Sequence, residues 1–444
     1  MKLYVQTWGC QMNQLDSARI VQLMGSADYE PTDRADDADL IILNTCSVRD
    51  KAEQKVYSAL GRWRQLKEEK GVILGVGGCV AQQEGEKLLR RAPHLDLVFG
   101  THNMHKLPQM VEEAREAARR SVETAFYRDP FYLEDPSGLP ETEGAKAYVT
   151  IMQGCDKVCS FCIVPRVRGR EVSRPSDNIV RDVEALVRRG IKEVMLLGQN
   201  VNSYGRTVEG ERSFPGLLER INEVPGIQRI RFTTSHPQDL SPELVDAFVR
   251  LDNLCEHLHL PLQSGSDAVL ARMRRGYGLG EYMERIRSLR ERRPDVAITT
   301  DMIVGFPGET EAEFEETLSA VREIEYDDMF TFTYSPRPRT VAAKVYEDDI
   351  PDEVKGERCR RLQELQKSIS LRKNRGLVDT EQEILVEGPS RLGRDQLMGR
   401  TRTNRIVNFT PNDATVPAEM ARVRVVGATP NSLVGEAIAR EVMQ

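Results

Sequence analysis

The stretch Gly154–Pro165, "GCDKVCSFCIVP", sets three thiols at intervals of four and three residues and supplies no fourth; the next cysteine is Cys255. A structural zinc site is closed and tetrahedral, and needs a fourth Cys or His close by. A cubane iron-sulfur cluster is normally held by four thiolates, so Cys155, Cys159 and Cys162 would leave one iron free to take a substrate or cofactor. Spacing alone leaves both metals open. The compactness of the triplet favours the cluster, and Gly154 gives the loop the freedom to fold around it.

Working outward, 444 residues with 40% apolar and 30% charged side chains describe a soluble globular chain with room for two or three domains. No apolar run reaches the roughly 18 residues of a membrane span. The N-terminus "MKLYVQTWGCQMNQ" lacks the apolar core of a secretory signal. A cytoplasmic, reducing location without membrane contact is expected, in which the eight cysteines stay thiols or become metal ligands. The net charge of -7 argues against a surface that coats nucleic acid uniformly, yet leaves room for a local basic patch.

Upstream, "LYVQTWGC", "LIILNTC" and "VILGVGGC" are three β-rich apolar runs that each end in a cysteine, and helical segments such as "RDKAEQKVYSALGRWRQLKEEK" alternate with them. That is the signature of an open parallel α/β domain, expected over residues 1–125. Ligands bind such sheets at the carboxyl ends of the strands, so Cys10, Cys46 and Cys79 could converge in space. One cysteine there is often only a small buried hydrophobe; three at matching places ask for more.

Downstream of the polar, Pro-punctuated "RDPFYLEDPSGLPETEGAK", six strand-like runs alternate with helical segments: "AYVTIMQG", "EVMLLGQN", "IRFTTSH", "EHLHLPLQ", "AITTDMIVG" and "MFTFTYSP". Six βα units predict a partial, TIM-like (β/α)6 barrel over residues 140–372, with its chemistry where the strands end. The thiol triplet follows the first strand. "LLGQNVN", "TSHP", "LPLQSGS" and "IVGFPGE" end later ones and offer Gln199, Asn200, Ser235, Gln263 and Gly305 to a cofactor. Thr310 reads as a helix N-cap, and His236, His257 and His259 as core or surface residues. Asp352–Arg375 reads as one charged helix with Leu362, Leu365 and Ile369 on a face. Residues 375–441 carry short β-like runs expected to close into a small OB-like barrel. Within it Arg391, Arg394, Arg400, Arg402 and Arg405 form a dense basic run suited to phosphate.

"GCDKVCSFCIVPRVRGRE" resembles the loop of radical SAM enzymes, and "GCQMNQLDSARI", "NTCSVRDKAEQKVYSALG", "GCVAQQEGE", "TTSHPQDL" and "LHLPLQSGS" are similar to their methylthiotransferase family. The resemblance covers nearly the whole chain. It implies a cluster-binding N-terminal domain, a radical SAM barrel and a C-terminal TRAM domain. It further implies two 4Fe-4S clusters, one on Cys155, Cys159 and Cys162 that cleaves S-adenosylmethionine reductively, and an auxiliary one on Cys10, Cys46 and Cys79 that carries sulfur. The expected reaction adds a methylthio group to C2 of N6-isopentenyladenosine at position 37 of tRNA. Its partners would be the anticodon stem-loop, bearing the prenylated base, and a reducing electron donor protein. S-adenosylmethionine would lie over Gln199, Asn200, Ser235, Gln263 and the Gly305 turn, and the five arginines would grip RNA.

Other methylthiotransferases act on threonylcarbamoyl-adenosine in tRNA or on an aspartate of a ribosomal protein. Their usual segment after the second cysteine differs from "SVRDKAEQK", and the ribosomal branch usually has His where Ser264 stands. A non-catalytic RNA-binding metalloprotein is the alternative of a different class. Members often read Gly-Thr-Pro after "SPRP", where this chain has Arg339, Thr340 and Val341; at Gly278 a Thr is usual.

Overall fold

The computed structural model describes residues 1–47, 52–127, 144–393, 395–413 and 415–438. The segment 128–143, most of the Pro-punctuated stretch, lies outside them, as does Arg394. Every residue of Leu40–Thr45 and Ile73–Gly78 is buried, as unbroken apolar runs must be when helices cover both faces of a parallel sheet. With β1 (Lys2–Trp8), β2 (Glu30–Pro31), β3 (Leu40–Thr45), β4 (Ile73–Gly78), β5 (Leu97–Phe99) and β6 (Ser121–Glu123), the sheet runs β2-β1-β3-β4-β5-β6, all parallel. One face packs on the helix Ala52–Lys70 through Val56, Leu60 and Trp63. The other packs on Gln11–Gly25 and Leu107–Ala117 through Ile20, Met24 and Met110. The three βα units of the sequence are present; β2, β5 and β6 span only two or three residues, too few to show a period.

The second unit holds β7 (Lys146–Thr150), the short antiparallel pair β8 (Met152–Gln153) and β9 (Val172–Ser173), then β10 (Glu193–Leu197), β11 (Arg229–Phe232), β12 (His257–His259), β13 (Ala297–Val304) and β14 (Asp328–Thr333). Parallel sheets β11-β10-β7 and β12-β13-β14 meet at a bridge between Ile230 and Leu254, so six strands stand side by side in chain order. Alternation decides what each strand shows to either side. Val149, Leu196, Ile230, Leu258, Met302 and Met329 enter the core beneath the helices, leaving Tyr148, Met195, Arg231, His259, Ile303 and Phe330 on the inner face. The helix Asp352–Arg375 lays Leu362 and Ile369 into that core, with Leu365 partly buried against it. Thr310 caps Glu311–Ile324, accepting from the Glu313 amide at 3.2 Å.

The third unit is a closed barrel ordered β15-β16-β17-β19-β18, from β15 (Glu381–Pro389), β16 (Leu397–Thr401), β17 (Ile406–Thr410), β18 (Met420–Ala428) and β19 (Leu433–Ala437). The run 396–409 is a hairpin whose turn holds Asn404 at φ 66°. That turn sits on the amino ends of the inner barrel strands. Buried Arg229 donates to the Arg400 carbonyl at 2.7 Å, and buried Arg231 to those of Arg402 and Thr401 at 2.8 and 2.7 Å. The small barrel thus closes the floor of the large one.

Candidate functional site

The register β1-β3-β4 aligns Trp8 with Thr45 and Thr45 with Gly78, so the three strand-end cysteines of the first domain leave the sheet at one level. Cys10 is the N-cap of Gln11–Gly25, and Asn13 Oδ1 accepts from its amide at 3.3 Å and its thiol at 3.5 Å. Asn13 is fixed in turn by a 3.2 Å bond to Asn44 Oδ1, and Asn44 donates to Ser17 at 2.9 Å. Gly78 takes φ +87°, and a Cβ there would stand 2.4 Å from Asn44 Oδ1, so this turn into Cys79 requires glycine. A hydrogen bond with Cys46 brings the Cys10 thiol down to about 6, with the Arg168 charge helping against burial. Burial instead pushes Cys79 up, opposed by Arg168.

The second trio is held by its own loop. Gly154 has φ +80°, and a Cβ would lie 1.9 Å from the Arg170 carbonyl. Its amide donates to Gln199 Oε1 at 2.6 Å. Ser160 donates to Met273 O and Arg272 O at 2.9 and 2.8 Å, and its carbonyl accepts from Ala342 at 2.7 Å. Phe161 packs among Met273, Phe306 and Tyr334. Burial raises Cys155 to about 11 and Cys162 to about 12. Buried Arg275 donates to Cys159 Sγ at 3.2 Å while Tyr277 Oη and the Pro261 carbonyl, each at 2.9 Å, hold it.

The two trios meet through the segment after Cys162. Cys79 is buried against Ile163 and Val167. Thr101 donates to the Val167 carbonyl at 2.6 Å, His102 contacts the Arg168 carbonyl at 3.0 Å, and Arg168 pairs with Asp16 at 2.6 Å, both side chains only 3% exposed. Cys10 packs with Met12 and Leu15 against Leu197, Met195 and Tyr148 of the inner face. Among the described residues no three His, Cys, Asp or Glu side chains converge on a point that would hold one metal ion.

The other strand-end residues stand where the barrel pattern puts them. Asn200 donates to Asp239 at 2.8 Å, and Gly305 turns at φ +69° with its amide on Glu309 at 3.1 Å. Asn200 Oδ1, Ser235 Oγ and Gln263 Oε1 are buried without a hydrogen-bond partner among the described residues, a costly state that a polar ligand would relieve. Thr234 and Gln263 adopt φ of 68° and 77°, strain of the kind that gathers at ligand sites. Sequence reasoning passed over Asp16, Arg168 and Arg275, and gave His236 no ligand role. Burial, then the charge of Arg275, takes His236 down to about 2, leaving it neutral, with Nε2 unpartnered among the described residues. A signal for Arg168 existed: "PRVRGR" follows the triplet directly.

The basic run behaves otherwise than expected. Arg402 binds both carboxylate oxygens of Glu256, with distances down to 2.8 Å, Arg405 pairs with Asp327, and Arg400 with Glu387 at 3.2 Å. Glu256 and Asp327 flank strands of the large barrel, so Arg402 and Arg405 are turned inward across the domain boundary and Arg400 is paired within its own. Acidic partners at hydrogen-bond distance compete with RNA phosphate for these three. Arg391 is exposed.

Family models match along the chain: "Uncharacterized protein family UPF0004" at residues 2–100, "Radical SAM superfamily" at 149–321 and "TRAM domain" at 377–438. Among solved structures, the radical S-adenosylmethionine methyltransferase TsrM from Kitasatospora setae superposes with a TM-score of 0.57 at 14% identity, covering 77% of each chain. The cobalamin-dependent radical enzyme OxsB gives 0.54 at 12%, over 82% of this chain and 56% of that one. Both likenesses concern the fold. The tRNA-2-methylthio-N(6)-dimethylallyladenosine synthase of Geobacter metallireducens is 52% identical over 98% of both chains. Its namesake in Myxococcus xanthus is 50% identical over 99% of this chain and 94% of its own. With identity at this level along its whole length, the chain belongs to the tRNA-2-methylthio-N(6)-dimethylallyladenosine synthase family within the radical SAM superfamily.

Proposed function

We propose that this protein adds a methylthio group to carbon 2 of N6-prenylated adenosine 37 in tRNA. The observation that carries the reading is the meeting of two thiol trios, each one ligand short, at one barrel mouth: Cys10 against the inner face of β7 and β10, and Cys155, Cys159 and Cys162 on the loop after β8. A single ion does not fit either trio, because among the described residues no three ligands converge. A cubane suits such a set better, since it would give each thiolate a separate iron corner. Bound there, two 4Fe-4S clusters and S-adenosylmethionine supply the radical, sulfur and methyl chemistry that no side chain can bring to an unactivated C–H bond.

The chain's own residues bind and orient. Cys155, Cys159 and Cys162 hold one cluster and leave a corner for the cofactor, while Cys10, Cys46 and Cys79 hold the other. Asn200, Ser235 and Gln263 offer their unpartnered oxygens to the cofactor, with Gln199 and the Gly305 turn shaping the loop around it. Arg275 and Arg168 set positive charge beside one trio each. The packing of Met12 and Leu15 on Leu197 keeps water from one side of the mouth. The tRNA anticodon stem-loop is the substrate, and a reducing protein delivers electrons. Recognition of an unpaired loop base fits how RNA is generally read, and the small barrel with exposed Arg391 serves the backbone.

The test is nucleoside mass spectrometry of tRNA from a deletion strain. N6-prenyladenosine lacking the methylthio group should accumulate, the wild-type gene should restore the product, and Cys155→Ala should not. Unchanged tRNA with a mass change in a ribosomal protein would replace this reading by the ribosomal one.

A further inference from the structure

The loop that carries the second trio is enclosed on three sides. Gly154 lies against the Arg170 carbonyl and donates to Gln199. Beyond Cys162, Ile163 and Val167 pack on Cys79 of the first domain. Phe161 packs against Met273, Ala342 and Phe306. Between Gly154 and Pro165 the exposed residues are Asp156 and Val158, and Asp156 is taken by Arg170 at 2.7 Å. Val158, directly before Cys159, is 71% exposed. It is apolar surface left in water that a partner would cover.

Two further segments meet this apex at Ser160. Its amide and hydroxyl donate to the Met273 and Arg272 carbonyls at 2.9 and 2.8 Å, and its carbonyl accepts from the Ala342 amide at 2.7 Å. Met273 and Ala342 are fully buried, yet the residues beside them are exposed. Arg274 follows Met273 at φ 55°, and Arg339, Lys344 and Val345, the last 62% exposed, flank Ala342. Among the described residues these three cations have no carboxylate partner. Of the acids that follow, Asp348 goes to Lys355 at 2.6 Å and Asp349 to the Gly308 amide at 2.8 Å, which leaves Glu347 against three positive charges. In a chain of net charge -7 this is a local positive field around an apolar apex.

We infer that this face docks a small, acidic one-electron carrier protein in its reduced form; the inference rests on the function proposed above, which consumes electrons at this trio. An apolar centre rimmed by charge is the build of a protein interface. Phosphate contacts call for cations and hydrogen-bond donors, and an aliphatic apex offers neither. Electron-transfer encounters bury little, under about 1,200 Å², so a patch of this kind suffices, and complementary charge supplies orientation and speed. A carrier seated on Val158 stands directly beside Cys159. One electron leaves its reduced centre, which is oxidised by one, and is taken up at the trio's metal centre, which is reduced by one; no bond or proton changes place.

The experiment mixes the anaerobically reconstituted full-length protein with reduced plant-type 2Fe-2S ferredoxin as the probe and follows electron uptake by stopped-flow absorbance at two salt concentrations. In parallel, dithionite drives S-adenosylmethionine cleavage without any docking. Arg274→Glu and Lys344→Glu should each slow bimolecular electron uptake by about tenfold at low salt, and the gap should narrow as salt screens the charges. Val158→Asp should raise the calorimetric dissociation constant for oxidised ferredoxin by about tenfold. With dithionite all three should cleave the cofactor at the wild-type rate, which shows them folded and loaded. Wild-type uptake and affinity in the three variants would overturn the inference. So would loss of anticodon stem-loop affinity with ferredoxin binding unchanged, by assigning the face to RNA. If the wild type makes methylthio product with dithionite while ferredoxin neither binds nor reduces it, the docking face is refuted and the function stands. If ferredoxin reduces the wild type in the charge-dependent way but no methylthio product forms with either reductant, the function is refuted and the face stands.

Discussion

The two thiol trios offer the same three side chains by opposite means. Cys155, Cys159 and Cys162 come from one loop of eight residues, pinned by its own amides and by Phe161. Cys10, Cys46 and Cys79 come from three strand ends, and only the pairing of β1, β3 and β4 brings them level. Their acidities diverge accordingly: a neighbouring thiol draws Cys10 down to about 6, whereas burial lifts Cys155 to about 11 and Cys162 to about 12. Each trio nevertheless has one buried arginine beside it, Arg168 at Cys79 and Arg275 at Cys159. A local site is robust to the rest of the fold; a dispersed one depends on the sheet and on the domain that leans against it.

The largest effects should separate the trios outright. Replacing Cys155, Cys159 and Cys162 by Ala should remove about half of the iron that two cubanes bring and abolish S-adenosylmethionine cleavage. The Cys10, Cys46, Cys79 triple variant should lose the other half, still cleave the cofactor and transfer no sulfur. Iron analysis with 5'-deoxyadenosine quantitation reads both, and loss of all iron from the second variant would end the two-site picture.

The arginines sharpen the contrast. Arg168 is paired with Asp16 where both are only 3% exposed, so Arg168→Ala leaves a carboxylate buried and alone at a cost of about 3–5 kcal/mol. Arg275 has a phenol, a carbonyl and a thiol as partners, and Arg275→Ala strands no carboxylate, which limits the loss to about 1–3 kcal/mol. Denaturant titration of the two variants should rank them in that order; the reverse ranking would deny that the dispersed trio leans on the barrel.

Much of this was legible in the sequence, for a physical reason in each case. The triplet is a local pattern, and the six barrel strands announce themselves because their apolar runs are long and separated by amphipathic helices. Asp352–Arg375 carries its face at helical spacing. Side-chain pairing between distant segments is not written locally. Nothing in "QLMGRTRTNRIVNF" tells that Arg402 will meet Glu256, 146 residues away, or Arg405 meet Asp327, so a dense basic run read as an RNA surface becomes in part a docking surface. Arg339 shows the converse. Its φ of 69° is a conformation that favours glycine, at the position where members of the family often carry Gly.

That docking role predicts a modest, specific effect. Arg402→Ala should loosen the small barrel, detected as faster proteolysis near residues 376–380, while leaving the salt dependence of RNA binding as in the wild type. Arg391→Ala should lower that slope by about 0.7–0.9 in log units, the share of one lost phosphate contact. A flattened slope in Arg402→Ala would show that this side chain leaves Glu256 for RNA.

The smallest effect concerns protons, in the metal-free protein. Cys10 has a depressed value of about 6 whose chief cause is the hydrogen bond with Cys46, so its thiolate dominates at pH 7 by about tenfold. Alkylation at Cys10, followed by peptide mass spectrometry, should rise through pH 6 and level off, while Cys155 and Cys162 stay unreactive until pH approaches 11 to 12. The stability linked to Cys10 has the sign of any acid depressed by folding: present in full above the unfolded thiol value and lost as pH falls through about 6. For Cys155 and Cys162 the sign inverts, because folding favours their neutral forms; their contribution holds below the unfolded value and disappears as pH rises through about 11 and 12. Cys46→Ala should move the Cys10 midpoint up toward the ordinary thiol range, because burial then opposes the weaker pull of Arg168. A Cys10 midpoint that ignores Cys46 would mean that the strand-end thiols do not sense one another, and the dispersed trio would lose its claim to be one site.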